Sequence, residues 1–353
     1  MKTHHLLFAA VACVTNLVHA ENKQLSAVPL SEFTHAHWLV DVDHGRKLNV
    51  FCMGSGSPTV IFEAGGGDDS ASFRSVQPAI AATTRTCTYD RAGIGFSDPT
   101  SRPATAVNVV ADLHRLIEAI SPHEAVILVG HSDGGLYVPL YAATYPGDVA
   151  GMVLIDPFTV GADKVAAALL TPAQRKAWYA SDERDVETAR RCLAKAKAGQ
   201  LAHPSREDEA SCLDSSPNPD AGRHAVLNAQ LARPTEQEAL LTAMLDTYPT
   251  KEHGMSGGEI ALQRANPNFG DTPLIVLTSG LSEQTDLPVA TQEKIAAAWK
   301  HLNDELATRS TRGKNILVLD SHHYIQDEHP AAVIDAVLEV VKTITAAAAT
   351  RSP

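Results

Sequence analysis

The chain has 353 residues, of which 44% are hydrophobic and 20% are charged, and 41 acidic against 29 basic side chains give a formal net charge of −12. A chain of this length can bury a large core, either as one large domain or as a domain with an insertion. The negative charge excludes broad electrostatic binding to nucleic acid or to anionic membranes. The hydrophobic content argues against intrinsic disorder.

The first twenty residues have the pattern of a secretory signal peptide. Lys2 supplies a positive charge, an apolar stretch runs from Leu6 to Val18, and Val18-His19-Ala20 suits a cleavage site. The stretch is shorter than the ~20 apolar residues that span a bilayer, and no later stretch of the sequence is long enough, so we expect no membrane span. We predict a signal peptide over residues 1–20 and a periplasmic or secreted protein.

The cysteines bear on the same prediction, because disulfides persist in oxidising compartments. After residue 20 the four cysteines allow three connectivities, and spacing alone does not choose among them: Cys52, Cys87, Cys192 and Cys212. Four buried thiols are the alternative. No Cys-x-x-Cys pair occurs and the nearby histidines lack ligand spacing, so we expect no metal site.

Short apolar runs alternate with helical stretches, which is typical of a layered α/β architecture. The turn-forming Asp43-His44-Gly45-Arg46 joins the first two predicted strands as an antiparallel hairpin. The last five strands are continuous apolar runs, which predicts burial on both faces of a sheet. Helical periodicity predicts helices over Val107–Ile120 and Pro330–Ile344. The predicted strands are His37–Asp41, Lys47–Cys52, Thr59–Phe62, Thr86–Tyr89, Ala125–Val129, Gly151–Ile155, Leu274–Thr278 and Ile316–Leu319.

The alternation stops after residue 157 and resumes near residue 273. The residues between are rich in Ala, Glu, Lys, Arg and Gln, which favours helices, and Ser215 to Asp220 has the composition of a loop. We interpret residues 158–272 as an inserted helical cap, and residues 21–157 and 273–353 as the two parts of one core.

The clearest chemical motif is Gly130-His131-Ser132-Asp133-Gly134, a G-x-S-x-G that follows a predicted buried strand and precedes a helix. Glycines let the chain turn sharply there, so that Ser132 is presented in a strained conformation at the positive end of the helix. The backbone N–H of Asp133 would point toward negative charge that develops during a reaction. Its carboxylate would oppose that charge unless the side chain turns away.

A second N–H is expected from the loop after the third strand, where Gly65, Gly66 and Gly67 allow unusual backbone conformations. With this loop, the chain resembles the α/β-hydrolase superfamily over residues 37–345. The motifs that carry the resemblance are Glu63-Ala64-Gly65-Gly66-Gly67, Tyr89-Asp90-Arg91-Ala92-Gly93-Ile94-Gly95-Phe96-Ser97, Gly130 to Gly135, Val153-Leu154-Ile155-Asp156 and Ser321-His322-His323-Tyr324-Ile325.

The resemblance implies a mostly parallel eight-stranded sheet with the catalytic site at the carboxyl ends of the strands. It implies that Ser132 is the nucleophile and that His323 is the general base, although relatives usually carry glycine where this chain has His322. The oxyanion donors would be the N–H groups of Gly66 and Asp133. This chemistry requires no metal or organic cofactor.

The same sheet implies that the second and fourth strands are neighbours, which would bring Cys52 beside Cys87. Cys192 and Cys212 would then pair within the cap. Two disulfides are therefore expected from the resemblance.

The acid of the triad has more than one candidate. Most members of the superfamily use an acid after the strand predicted at Leu274–Thr278, where Glu283 and Asp286 lie. Another group uses an acid after the preceding strand, which is Asp156 here. We predict Asp156, with Asp286 as the next candidate.

The sequence thus predicts a serine hydrolase that cleaves small-molecule carboxylic esters through an acyl-enzyme. The alternatives are an aminopeptidase acting on N-terminal proline and a non-catalytic receptor for a small ligand. Dehalogenase or epoxide-hydrolase chemistry needs a carboxylate nucleophile where Ser132 stands. No oligomeric state is predicted. Four acidic residues around the predicted mouth argue against strongly anionic substrates: Glu63, Asp68, Asp69 and Asp133.

Overall fold

The computed structural model describes residues 26–214, 220–249, 254–281 and 286–351. The predicted signal peptide, Glu283 and most of the predicted loop from Ser215 to Asp220 lie outside the described residues. Among the described residues, no helix is both long enough and apolar enough to cross a membrane.

Eight strands form one sheet in the order β1-β2-β4-β3-β5-β6-β7-β8. β1 and β2 form the predicted antiparallel hairpin, β2 pairs antiparallel with β4, and the remaining pairs are parallel. The predicted fold class, a mostly parallel eight-stranded sheet, is confirmed. The strands are β1 Trp38–Asp43, β2 Arg46–Met53, β3 Val60–Glu63, β4 Thr86–Tyr89, β5 Val126–His131, β6 Val149–Ile155, β7 Leu274–Ser279 and β8 Gly313–Val318.

Helices cover both faces of this sheet, because strands buried on two sides need an apolar layer on each. The second and third helices pack on one face, and the first and last pack on the other. The helices are α1 Gln77–Ala81, α2 Ala106–Ile120, α3 Gly134–Thr144, α4 Ala162–Leu169, α5 Pro172–Lys197, α6 Arg206–Cys212, α7 Ala221–Leu231, α8 Pro234–Thr247, α9 Gly257–Ala265, α10 Val289–Ala307, α11 Ile325–Glu328 and α12 Pro330–Arg351.

The expectation that the last five strands are buried on both faces is wrong for β8. Its residues alternate between half-buried and exposed, and Ile316 is 37% exposed. Leu319, directly after the strand, is 68% exposed. The reason is position, because β8 lies at one edge of the sheet and, among the described strands, pairs with β7 alone.

Among the residues that the structure describes between β6 and β7, six α-helices, α4 to α9, occupy the stretch that the sequence predicts to be helical. One ion pair attaches these helices to the core loop after β3. The Arg223 guanidinium on α7 is only 3% exposed and binds the Asp69 carboxylate, and it also donates to the carbonyl of Phe33 at 2.6 Å. A buried pair of this kind fixes the helical insertion against the end of the sheet.

The described part of the chain contains two disulfides. Cys52 on β2 lies opposite Cys87 on β4, and the two are bonded. Cys192 on α5 is bonded to Cys212 at the end of α6. These are the pairs that the resemblance implies, one between strands of the core and one within the helical insertion.

Candidate active site

Ser132 occupies a sharp turn between β5 and α3. Its φ angle is 53°, in the left-handed region that side-chain-bearing residues rarely adopt. The turn is held by its neighbours, since the Ser132 N–H donates to the carbonyl of Ile155 at 3.1 Å and its own carbonyl accepts from Gly135 at 2.8 Å. A side chain at Gly130 would overlap the carbonyl of Gly134, so the G-x-S-x-G glycines are needed for the turn to close.

Asp156 follows β6 and contacts His323, which follows β8. The Asp156 Oδ2 atom lies 2.6 Å from Nδ1 of His323, and Oδ1 accepts the Ser279 N–H at 3.0 Å. Both carboxylate oxygens are therefore engaged. An imidazole that donates from Nδ1 has its lone pair on Nε2, which is the nitrogen able to accept a proton from a serine.

Of the two alternative acids, the structure describes only Asp286. Asp286 is exposed, and Glu283 lies outside the described residues. The neighbouring His322 contacts a different partner, because its N–H donates to the Glu328 carboxylate at 2.8 Å. The geometry thus pairs Asp156 with His323 and turns His322 toward α11.

The N–H groups of Gly66 and Asp133 have no acceptor within the described part of the chain. The two residues are close, since a Cβ atom built on Gly66 would lie 2.6 Å from Oδ2 of Asp133. Two unpaired N–H groups beside a serine at a helix N-terminus can bind an oxyanion.

The Asp133 carboxylate does not turn away from this place. It is 9% exposed, and its Oδ2 accepts a hydrogen bond from the Thr247 hydroxyl at 3.4 Å. Burial raises the pKa of Asp133, and the nearby Arg91 offsets this only in part. Burial therefore favours either a proton on this carboxylate or a cation beside it.

Arg91 binds the backbone of the glycine loop. Its guanidinium donates to the carbonyl of Ala64 at 2.7 Å, contacts the carbonyl of Gly65, and binds Oε1 of Glu63 at 2.9 Å. Glu63 is fully buried, and burial raises its pKa against the effect of Arg91. With its carbonyls held on one side, the loop can present the Gly66 N–H on the other.

The expectation of four acids around the mouth is wrong for Glu63, which is inside the protein and paired with Arg91. Asp69 is bound by Arg223. Burial raises the pKa of Asp68 to about 6. Loop position alone does not reveal the partners of Glu63 and Asp69, which come from the loop after β4 and from α7.

The sequence predicts only a packing role for His131, but in the structure its ring also forms a hydrogen bond. Its side chain is fully buried, and burial lowers its pKa to about 3, so the ring is neutral. Its Nε2 atom lies 3.1 Å from the carbonyl of His323, to which it donates. The residue before Ser132 therefore helps to hold the loop that carries the His323 ring. The adjacency of the two in the fold has no signal in the sequence.

A cavity of about 600 Å³ opens above Ser132 and extends into the helical insertion. Its floor is formed by the glycine loop and the turn at Ser132, and its walls come from α5, α6, α7 and α8. The disulfide between Cys192 and Cys212 is part of the wall. The described lining residues are Gly66, Gly67, Ser132, Asp133, Asp185, Thr188, Ala189, Cys192, Ser211, Cys212, Leu213, Leu231, Gln237, Leu240, Ala243, Met244, Thr247 and Tyr248.

Known proteins share parts of the sequence, and solved structures share the fold over 88–90% of the chain. The uncharacterized protein YqjL of Bacillus subtilis is 36% identical over 104 residues, which are 30% of this chain and 41% of YqjL. The matched stretch thus spans less than half the length of that relative.

Among solved structures, the haloalkane dehalogenase DatA from Agrobacterium tumefaciens C58 aligns with a TM-score of 0.64 at 16% identity, covering 90% of this chain and 100% of DatA. A thermophilic esterase from Thermogutta terrifontis aligns with a TM-score of 0.55 at 16% identity, covering 88% and 99% of the two chains. These likenesses show the fold. The model of the alpha/beta hydrolase fold family matches residues 58–330, and the chain therefore belongs to the α/β-hydrolase fold family.

Proposed function

We propose that this protein is a serine hydrolase that cleaves carboxylic esters, with Ser132 as nucleophile, His323 as general base and Asp156 as the acid that orients the base. The observation that carries the proposal is the 2.6 Å contact between Nδ1 of His323 and Oδ2 of Asp156. This contact lies at the carboxyl ends of the strands, as the strained Ser132 turn does. A neutral serine needs such a base, and the base needs a fixed tautomer.

The reaction proceeds in two halves. The Ser132 Oγ–H proton passes to Nε2 of His323 while Oγ bonds to the acyl carbon, and the carbonyl electron pair moves to the oxygen. The N–H groups of Gly66 and Asp133 stabilise that oxyanion. The C–O bond to the alcohol then breaks, and His323 returns the proton to the leaving alkoxide. Water repeats the sequence on the acyl-enzyme and releases the acid.

The identity of the residue at the turn supports ester hydrolysis over halide displacement. Dehalogenases of this fold need a carboxylate nucleophile, and here the residue is Ser132. The walls of the cavity support an apolar acyl or alcohol group, because Leu213, Leu231, Leu240 and Met244 line it.

We also propose that residues 158–272 act as a cap over the site and that the protein is exported to the periplasm or secreted. The cap proposal is supported by the helices that form the cavity walls. The export proposal is supported by the two disulfides, which persist in oxidising compartments.

The test is hydrolysis of 4-nitrophenyl esters of increasing acyl length, with proline 4-nitroanilide as the amide substrate. We expect the wild type to hydrolyse the esters and Ser132→Ala to lose activity by a factor of about 10⁴ or more. Preferential cleavage of the prolyl amide would instead favour an aminopeptidase. A folded wild type that cleaves neither substrate would contradict the proposal.

A further inference from the structure

The charged side chains on the cavity wall all have the same sign. Within the described lining, Asp133 and Asp185 are the residues with a charged group, and no lysine or arginine is among them. Apolar side chains form much of the remaining wall. A positively charged substrate group in this cavity would be attracted by these carboxylates, and no cation of the described lining would repel it.

Asp133 is the inner of these carboxylates, directly next to Ser132. It is 9% exposed, and its Oδ1 atom accepts no hydrogen bond from the described residues, whereas Oδ2 accepts the Thr247 hydroxyl. Oδ1 is not fully enclosed by the described residues, so a ligand in the cavity can donate a hydrogen bond to it.

Arg91 is the cation that lowers the pKa of Asp133 most, but it does not form an ion pair with Asp133. Its guanidinium is bound to the Glu63 carboxylate and to carbonyls of the glycine loop. The pKa of Asp133 is raised, since burial outweighs the attraction of Arg91.

Asp185 lies on the cap side of the cavity, on α5. Its Oδ2 atom accepts a hydrogen bond from the Tyr248 hydroxyl at 3.5 Å. Asp182, one turn earlier on the same helix, has its pKa raised to about 6 by burial and by the neighbouring Asp163 and Asp185. This part of the cap therefore also carries an excess of negative charge.

We propose that the preferred substrates are esters whose acyl part carries a protonated amino group, which pairs with Asp133 when it is close to the ester carbonyl and with Asp185 when it lies at the end of a longer acyl chain. This inference rests on the proposed function, because it names a substrate class for the same Ser132 site. An ammonium group can donate to the open oxygen of Asp133 and supply the missing positive charge.

The test compares substrates that have the same shape and differ in charge. Alanine benzyl ester is paired with benzyl isobutyrate, in which a methyl group replaces the ammonium, and benzyl 6-aminohexanoate is paired with benzyl heptanoate. At about pH 6.5 the amines are protonated. For each pair, release of benzyl alcohol gives the ratio of kcat/KM for the charged over the neutral ester.

We expect Asp133→Asn to lower the ratio of the alanine pair by about tenfold. Asp185 is exposed, so Asp185→Asn should lower the ratio of the aminohexanoate pair by about threefold. Each ratio compares two esters hydrolysed by the same variant, so a change in the overall activity of that variant cancels. The difference in intrinsic reactivity between the two esters is the same for every variant, so it cancels when the ratios of two variants are compared. The control is Glu187→Gln, which removes a charge from the same helix at a residue that does not line the cavity. It should leave both ratios unchanged.

Ratios that stay within twofold of the wild type in both aspartate variants, with each variant shown to be folded by its thermal melt, would overturn the inference. Hydrolysis of the neutral esters in that case leaves the proposed ester hydrolase in place. Failure of the wild type to hydrolyse any of the four esters would reject the proposed function as well.

Discussion

Replacing His323 by alanine is expected to lower kcat for ester hydrolysis by about 10⁶-fold, because Ser132 would lose the group that takes its proton. The measurement is single-turnover hydrolysis of a 4-nitrophenyl ester by purified wild type and variant. The matched control is His322→Ala, one residue earlier, whose N–H binds Glu328. We expect the control to stay within about threefold of the wild type. A large loss in His322→Ala with an active His323→Ala would assign the base to the other histidine.

Replacing Asp156 by asparagine is expected to lower kcat by about 10⁴-fold. The amide is close in size to the carboxylate, but an amide nitrogen facing Nδ1 favours the ring tautomer with its proton on Nε2, where it cannot accept from Ser132. The same assay with Asp286→Asn is the control, because Asp286 is an exposed acid after β7. Nearly full activity in Asp156→Asn and a loss in Asp286→Asn would show that the acid follows β7 rather than β6.

Much of the sheet could be predicted because its strands have simple patterns. The run Val126 to Val129 is wholly apolar, and the structure buries all of it. The hairpin at Asp43 to Arg46 is encoded locally by turn-forming residues. The prediction that β2 and β4 are neighbours, in contrast, rests on the family resemblance, since no local pattern encodes which distant strands pair.

Features that depend on the position of an element in the sheet were harder to predict. Ile316 belongs to an apolar run like that of a central strand, yet it is 37% exposed because β8 lies at an edge. Glu63 precedes a glycine loop, which predicts a position near solvent. In the structure its side chain is buried and paired with Arg91. Local sequence gives the hydrophobicity of a residue but not the partner that compensates its charge.

In the candidate site, too, a contiguous motif could be predicted, whereas contacts between distant residues could not. The turn at Ser132 is a contiguous motif and could be located from sequence. The pairing of Asp156 with His323 joins residues 167 positions apart, so spacing could not choose between this acid and Asp286. The contact of the His131 ring with the His323 backbone is likewise a product of folding.

The proposed function depends on Ser132 as a nucleophile that His323 activates. The most direct measurement is covalent labelling with a fluorophosphonate, followed by peptide mapping of the adduct. We expect one adduct per chain, on the peptide that contains Ser132, absent in Ser132→Ala and formed far more slowly in His323→Ala. An active wild type whose adduct maps to another residue, or which forms none, would show that Ser132 is not the nucleophile.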